Sequence, residues 1–180
     1  MIDREISIRL LNKYVEGESL NQHSRMVALA MEAYAKSLNK DIEEIEEWWT
    51  AGLLHDLDWE KFPDEHPNEA VENILPPLGY SKKILEAIRA HAPERTGKEP
   101  ESEIERYLFA CDELSGFINA VSLMRPTIFD GMKVKSVTKK LKTLNFAANV
   151  PRKDIQKGAD LINKPLNEHI QFLVSVFSGK

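Results

Sequence analysis

Five histidines offer imidazole nitrogens in this sequence: His23, His55, His66, His91 and His169. Taken singly, each reads equally well as a structural or surface residue. One of them, however, stands directly before an aspartate, His55-Asp56, at the end of the apolar run in AGLLHDLDW. A polar pair placed there needs partners if it is buried, because an unpaired buried polar group costs about 1–3 kcal/mol. A divalent ion is one such partner, since neutral imidazole and carboxylate suit zinc, iron, nickel or manganese. Thiolate sites are excluded, because Cys111 is the one cysteine. The same count excludes a disulfide within the chain and fits a reducing, cytoplasmic setting.

The order His23, then His55-Asp56, then Asp112 resembles the H…HD…D signature of the HD-domain superfamily of metal-dependent phosphohydrolases. The contexts NQHSRMVALAM, AGLLHDLDW and LFACDELSGF carry the resemblance, which covers about residues 20–120. It implies an all-α, HD-domain-like helical bundle with additional C-terminal helices. It also implies that His23, His55, Asp56 and Asp112 bind one metal. Members with two further histidines between the doublet and the last aspartate hold two metals, with the doublet aspartate bridging. His66, in PDEHPNEA, and His91, in AIRAHAPE, occupy those places. Each has a plainer alternative: His66 as a loop residue helping to start the next helix, His91 as a helix C-terminal residue favoured by the dipole. His169 lies outside the pattern and reads as a surface helical residue.

What such a centre does follows from its charge. Four neutral imidazoles and two carboxylates carry about −2 and two divalent ions about +4, which leaves a positive centre for phosphate oxygens. Bound water there has its pKa lowered toward about 7. The expected cofactors are one or two divalent ions (Fe, Mn, Zn, Ni or Mg). The expected substrate is a small phosphomonoester, nucleotide or cyclic nucleotide. Asp58 and Glu113 adjoin the implied ligands and, with Asp56, form the expected catalytic carboxylates. Each is a general acid or base, a hydrogen-bond partner to a ligand histidine, or simply a solvated or capping carboxylate. The same ligand types also suit the di-iron, oxygen-activating branch of the superfamily. A non-catalytic domain that keeps metal for structure is the third alternative.

Charge is unevenly spread. Residues 41–72 hold twelve acids against Lys61 alone, whereas residues 131–160 hold eight bases against Asp154 and Asp160. A basic segment leaning over the metals would supply phosphate contacts, with Lys139, Lys140 and Arg152 the expected residues; a solvated face balancing the acidic segment is the alternative. The net charge of −5 argues against an extended nucleic-acid surface, which needs a basic footprint. No run approaches the roughly 20 apolar residues that span a bilayer. The first residues, MIDREISIRLLNKYVEG, do not read as a signal peptide.

The elements that must position these side chains are helical. Apolar residues recur at helical spacing almost throughout, with no alternating strand pattern. Ile6, Leu10, Leu11 and Tyr14 predict a first helix. Met26, Val27, Ala30, Met31 and Tyr34 predict a second, over about residues 18–38. A third, capped by Asp41, ends near His55-Asp56. Pro63 and Pro67 break the stretch that follows, and Pro67 opens a short helix over HPNEAVENIL. Ser81 caps SKKILEAIRAHA, PERTGKEPES is a loop, and a long helix runs from about Glu103 to Leu123. Beyond it lie KVKSVTKKLKTL, with Val134, Val137, Leu141 and Leu144 inward, and a stretch from Arg152 to Phe177 that Pro165 breaks. At 180 residues the chain suits one domain, burying roughly 70% of its unfolded surface without disulfides. The family core falls at about residues 20–120 and the C-terminal helical extension at about 126–180.

Overall fold

A computed structural model describes residues 3–179, and among them the regular elements are helices. They are α1 (Arg4–Tyr14), α2 (Glu18–Ser37), α3 (Ile42–Leu54), α4 (Lys82–His91), the single turn α5 (Pro93–Thr96), α6 (Glu103–Ser122), α7 (Val134–Leu141), α8 (Arg152–Leu161) and α9 (Leu166–Phe177). The starts follow local chemistry. Asp41 accepts from the Glu44 amide at 2.8 Å and the Ser81 hydroxyl from the Ile84 amide at 3.4 Å. Ser102 and Glu105 form a reciprocal capping box at the start of α6, filling donors a helix end leaves open. Asn39, in the left-handed region at φ 55°, turns the chain between α2 and α3.

α6 is the hub: α2, α3, α4, α7, α8 and α9 all pack against it. Trp48, Tyr34, Phe117, Met31 and Leu108 are fully buried around it. Two glycines set the closest helix contacts. A Cβ on Gly52 of α3 would lie 2.9 Å from the Ala28 backbone of α2, and one on Gly158 of α8 would lie 2.7 Å from Ala110 Cα of α6. Only a residue without a side chain lets the backbones approach this closely.

Several sequence expectations change in place. Ile6 is 46% exposed, while the neighbouring Ser7 is buried, its hydroxyl 3.1 Å from Tyr80 Oη; the inward stripe of α1 runs through Ser7, Leu10, Leu11 and Tyr14. Leu144 is 79% exposed, because α7 stops at Leu141 and helical phase no longer carries it inward. PERT is a helical turn, opened by Pro93 and ended by Gly97 at φ 70°. The segment after Pro67 is not a regular helix but a π-helical turn, Ala70–Ile74, followed by a tight turn, Pro76–Leu78. No helix of the described residues is long and apolar enough to cross a membrane.

His169 is the clearest correction: it is not at the surface but fully buried on α9. Its Nε2 donates to the Ala110 carbonyl at 2.9 Å, which leaves Nδ1 to accept from the Tyr34 hydroxyl at 2.7 Å. The neutral ring thus ties α9 to α6 and α2 with both nitrogens satisfied. Burial pushes the imidazole down to about 4 from an ordinary 6.5, helped by Lys164, while the Ala110 bond opposes. The unfolded chain therefore binds a proton there before the folded one does. Stability from this residue is complete above pH 6.5 and falls as pH drops toward 4, by about 3 kcal/mol in total. His169→Gln keeps a donor and an acceptor but should flatten the difference in urea midpoint between pH 7 and pH 4.5; an unchanged slope would count against the buried neutral ring.

Candidate metal centre

The implied ligands arrive from separate elements. His23 projects from α2, and His55 stands just past the last turn of α3 with Asp56 beside it. His66 sits in the turn-rich stretch that follows, His91 ends α4, and Asp112 lies midway along α6. The structure brings all six together. His23, His55 and Asp112 form one group able to hold a metal, and Asp56, His66 and His91 a second.

In the first group His23 Nε2 lies 2.9 Å from Asp112 Oδ1 and 3.2 Å from His55 Nε2. Asp112 Oδ1 is 3.3 Å from His55 Nε2. In the second, His66 Nε2 and His91 Nε2 are 3.2 Å apart, with Asp56 Oδ1 at 3.5 and 3.6 Å from them. The other oxygen of Asp56, Oδ2, turns back to the first group, 3.3 Å from His55 Nε2 and 3.8 Å from His23 Nε2. Asp56 therefore presents one oxygen to each group. Donor atoms about 2.1 Å from a shared ion lie about 3.0 Å apart at octahedral and about 3.4 Å apart at tetrahedral angles. Within the two groups the spacings run from 2.9 to 3.6 Å, close to that range, and the contact between His23 Nε2 and Asp56 Oδ2, at 3.8 Å, is the longest.

Hydrogen bonds on the far side of the rings test the fit. His55 Nδ1 donates to the Gly52 carbonyl at 2.8 Å, and His91 Nδ1 to the Ile88 carbonyl. A carbonyl only accepts, so the protons sit on Nδ1. His66 Nδ1 donates to Asp58 Oδ1 at 2.7 Å. With Nε2 unprotonated, each of these rings offers a bare lone pair there. His66 and His91 then face one another across 3.2 Å with no proton to share, an arrangement that calls for a cation between them. The carboxylates say the same. Burial alone would lower the His55 imidazole, yet Asp56 and Asp112 beside it raise it well above its usual value. Burial would raise Asp56 and Asp112, yet the surrounding imidazoles hold both well below the carboxylate range. The donor set and its electrostatics fit divalent ions.

Asp58 and Glu113 differ sharply. Asp58 is fully buried and committed: Oδ1 accepts from His66, and Oδ2 accepts from the Ala70 amide at 2.8 Å. It orients His66 and at the same time anchors the π-helical turn. Asp58→Asn is expected to weaken binding of the second metal equivalent about 10- to 100-fold while sparing the first; calorimetric titration of the metal-stripped variant reads this, and two parent-like affinities would refute it. Glu113 instead lines the cleft beside the six residues and has no hydrogen-bond partner among the described residues. Burial pushes its carboxyl up to about 8, with Asp112, Asp154, Asp56 and Glu94 adding to the rise.

Lys139, Lys140 and Arg152 do not line this cleft of about 390 Å³. Lys139 is exposed, and Lys140 lies over the Phe146 ring at 4.9 Å. Arg152 stacks on Phe117 at 4.8 Å and donates to the carbonyls of Thr143, Phe146, Ala147 and Val150. These bonds occupy both Nη groups, and the remaining donor, Nε, is buried. They hold a loop whose Asn149 and Val150 form one wall of the cleft, so the basic segment reaches the site through uncharged residues. Among the side chains the sequence did not single out, Trp59, Glu94 and Arg95 also line it.

Comparison with known proteins matches residues 20–116 to the HD domain. No curated protein and no solved structure matches the chain. The matched stretch covers more than half of the sequence and contains the whole constellation from His23 to Asp112, carried on an all-helical fold. The chain belongs to the HD-domain family, a superfamily made up generally of metal-dependent hydrolases.

Proposed function

We propose that this protein hydrolyses a small phosphate ester, with His23, His55, Asp56, His66, His91 and Asp112 holding two divalent ions drawn from Fe, Mn, Zn, Ni or Mg. The observation that carries the proposal is the placement of Asp56, one carboxylate oxygen on each three-residue group. Ions held so would supply activated water and an electrostatic hold on phosphoryl oxygens. The chain's own residues do the rest. Asp112 and Asp56 set the spacing of the two groups, and Asp58 keeps His66 in the tautomer that offers Nε2. Water oxygen bonds to phosphorus as the ester P–O bond breaks, and the leaving oxygen needs a proton. Glu113 lines the cleft and is free of other bonds, so it serves as the donor and regains a proton from solvent. The net change is ester plus water to alcohol plus inorganic phosphate.

The test is metal content of the purified protein, followed by phosphate release from an ester panel with each ion restored after chelation. Phosphate release that needs added metal, and a Glu113→Gln variant with full metal but about 100-fold lower kcat, are expected. Oxygen uptake without phosphate release, or full activity after chelation, would overturn the proposal.

A further inference from the structure

Among the residues lining the metal cleft, Arg95 supplies the one lysine or arginine side chain; the charged neighbours outside the six are Glu94 and Glu113. Its guanidinium is held before any ligand arrives. Nη1 donates to the Pro63 carbonyl at 2.6 Å and to the His66 carbonyl at 3.3 Å. The flat face lies 4.9 Å over the Trp59 ring, and Trp59 in turn meets the His66 imidazole edge-on at 5.0 Å. Nε and Nη2 have no partner among the described residues. Two N–H donors on a rigid, permanently charged fork suit a pair of phosphate oxygens better than any other side chain does.

Trp59 has a second role. It is 43% exposed and stands, with His23 and Gly116, between the metal cleft and a neighbouring hollow of about 400 Å³. That hollow adds Ser19, Leu20, Asn119, Ala120 and Leu123, and no Lys, Arg, Asp or Glu lines it. A charged group placed there would find no countercharge. An uncharged, partly apolar and flat group would gain contact with the indole and find hydroxyl and amide partners.

Resting on the phosphohydrolase reading above, we propose that Arg95 grips the substrate phosphate and that Trp59 floors a separate compartment for an uncharged, flat leaving group. The substrate class is then a phosphomonoester of an aromatic or similarly planar alcohol, not a sugar phosphate or a charged amino-alcohol phosphate.

Two variants of the metal-loaded protein separate the halves of this proposal. Arg95→Gln is expected to weaken inorganic phosphate binding and raise KM for phenyl phosphate, each about 10- to 100-fold, with metal content unchanged. Trp59→Ala is expected to raise KM for phenyl phosphate about tenfold and to weaken inorganic phosphate binding far less, because the Pro63 and His66 carbonyls still hold Arg95. The parent is expected to prefer phenyl phosphate to phosphoserine. A structural role alone would move both ligands together in both variants, and that pattern would overturn the assignment. So would parent-like phosphate affinity in Arg95→Gln, or a preference for phosphoserine, in which case hydrolysis itself still stands. A metal-loaded parent that neither binds phosphate nor releases it from any ester removes the hydrolase reading, and this one with it.

Discussion

Asp56→Ala should lose both metal equivalents at once and drop phosphate-ester turnover by at least about 1000-fold, roughly 4 kcal/mol of transition-state stabilisation. No other single substitution in the cluster has this reach. His66→Ala or His91→Ala removes a nitrogen from one group and leaves His23, His55, Asp112 and one oxygen of Asp56 for the other. Those variants should keep close to one equivalent. The alanine at 56 withdraws both oxygens and also leaves the His55 imidazole with one carboxylate neighbour, Asp112, in place of two. Elemental analysis of the three variants, purified side by side, reads the pattern. Full metal content in Asp56→Ala, or equal losses in all three, would dismantle the shared-carboxylate arrangement.

Gly52→Val should destabilise the fold by about 3 kcal/mol, the upper part of the range for forcing atoms into a packed interior. The Cβ alone would sit 2.9 Å from Ala28 N and Cα and from the Val27 carbonyl. Those atoms are backbone, so relief requires α2 and α3 to move apart. For a chain of this size the melting temperature should fall by about 6–12 °C. Because Gly52 is also the acceptor for His55 Nδ1, the same shift would carry His55 away from His23. Gly116→Ala is the contrast: its Cβ would meet only His23 ring atoms, at 3.7 Å, an ordinary contact. Equal melting temperatures for Gly52→Val and the parent would sink the argument that this contact sets the helix pair.

Much of this was legible in the residues. Asp41 and Ser81 announce helix starts through bonds to amides three positions on, a local chemistry that needs no tertiary information. The doublet after an apolar run, through its resemblance to the HD-domain signature, pointed to the six residues that the structure brings together. What stayed hidden depends on long-range packing. His169 falls in the apolar stripe of α9 with Ile170, Leu173 and Val174, so its burial was implicit in spacing. Its partners were not, since Tyr34 and Ala110 lie 135 and 59 residues away. Lys139 and Arg152 were drawn to the site by charge, but charge does not say where a helix points. Arg152 is occupied by the carbonyls of its own loop, while Arg95, in a segment expected to be a loop, lines the cleft beside the six residues. The π-helical turn was unreadable because its anchor, Asp58, sits 12 residues upstream of Ala70.

His23 and Asp112 meet across 89 positions of chain, and Cys111, the lone cysteine, permits no covalent link between such distant stretches. An ion seated among these side chains would act as the missing cross-link, adding about 2.7 kcal/mol to folding when present at 100 times its dissociation constant. The lifetime of this protein in a cell would then follow metal supply: starved of its ion, the chain should be digested faster by a nonspecific protease, and equal digestion with and without chelator would refute that dependence.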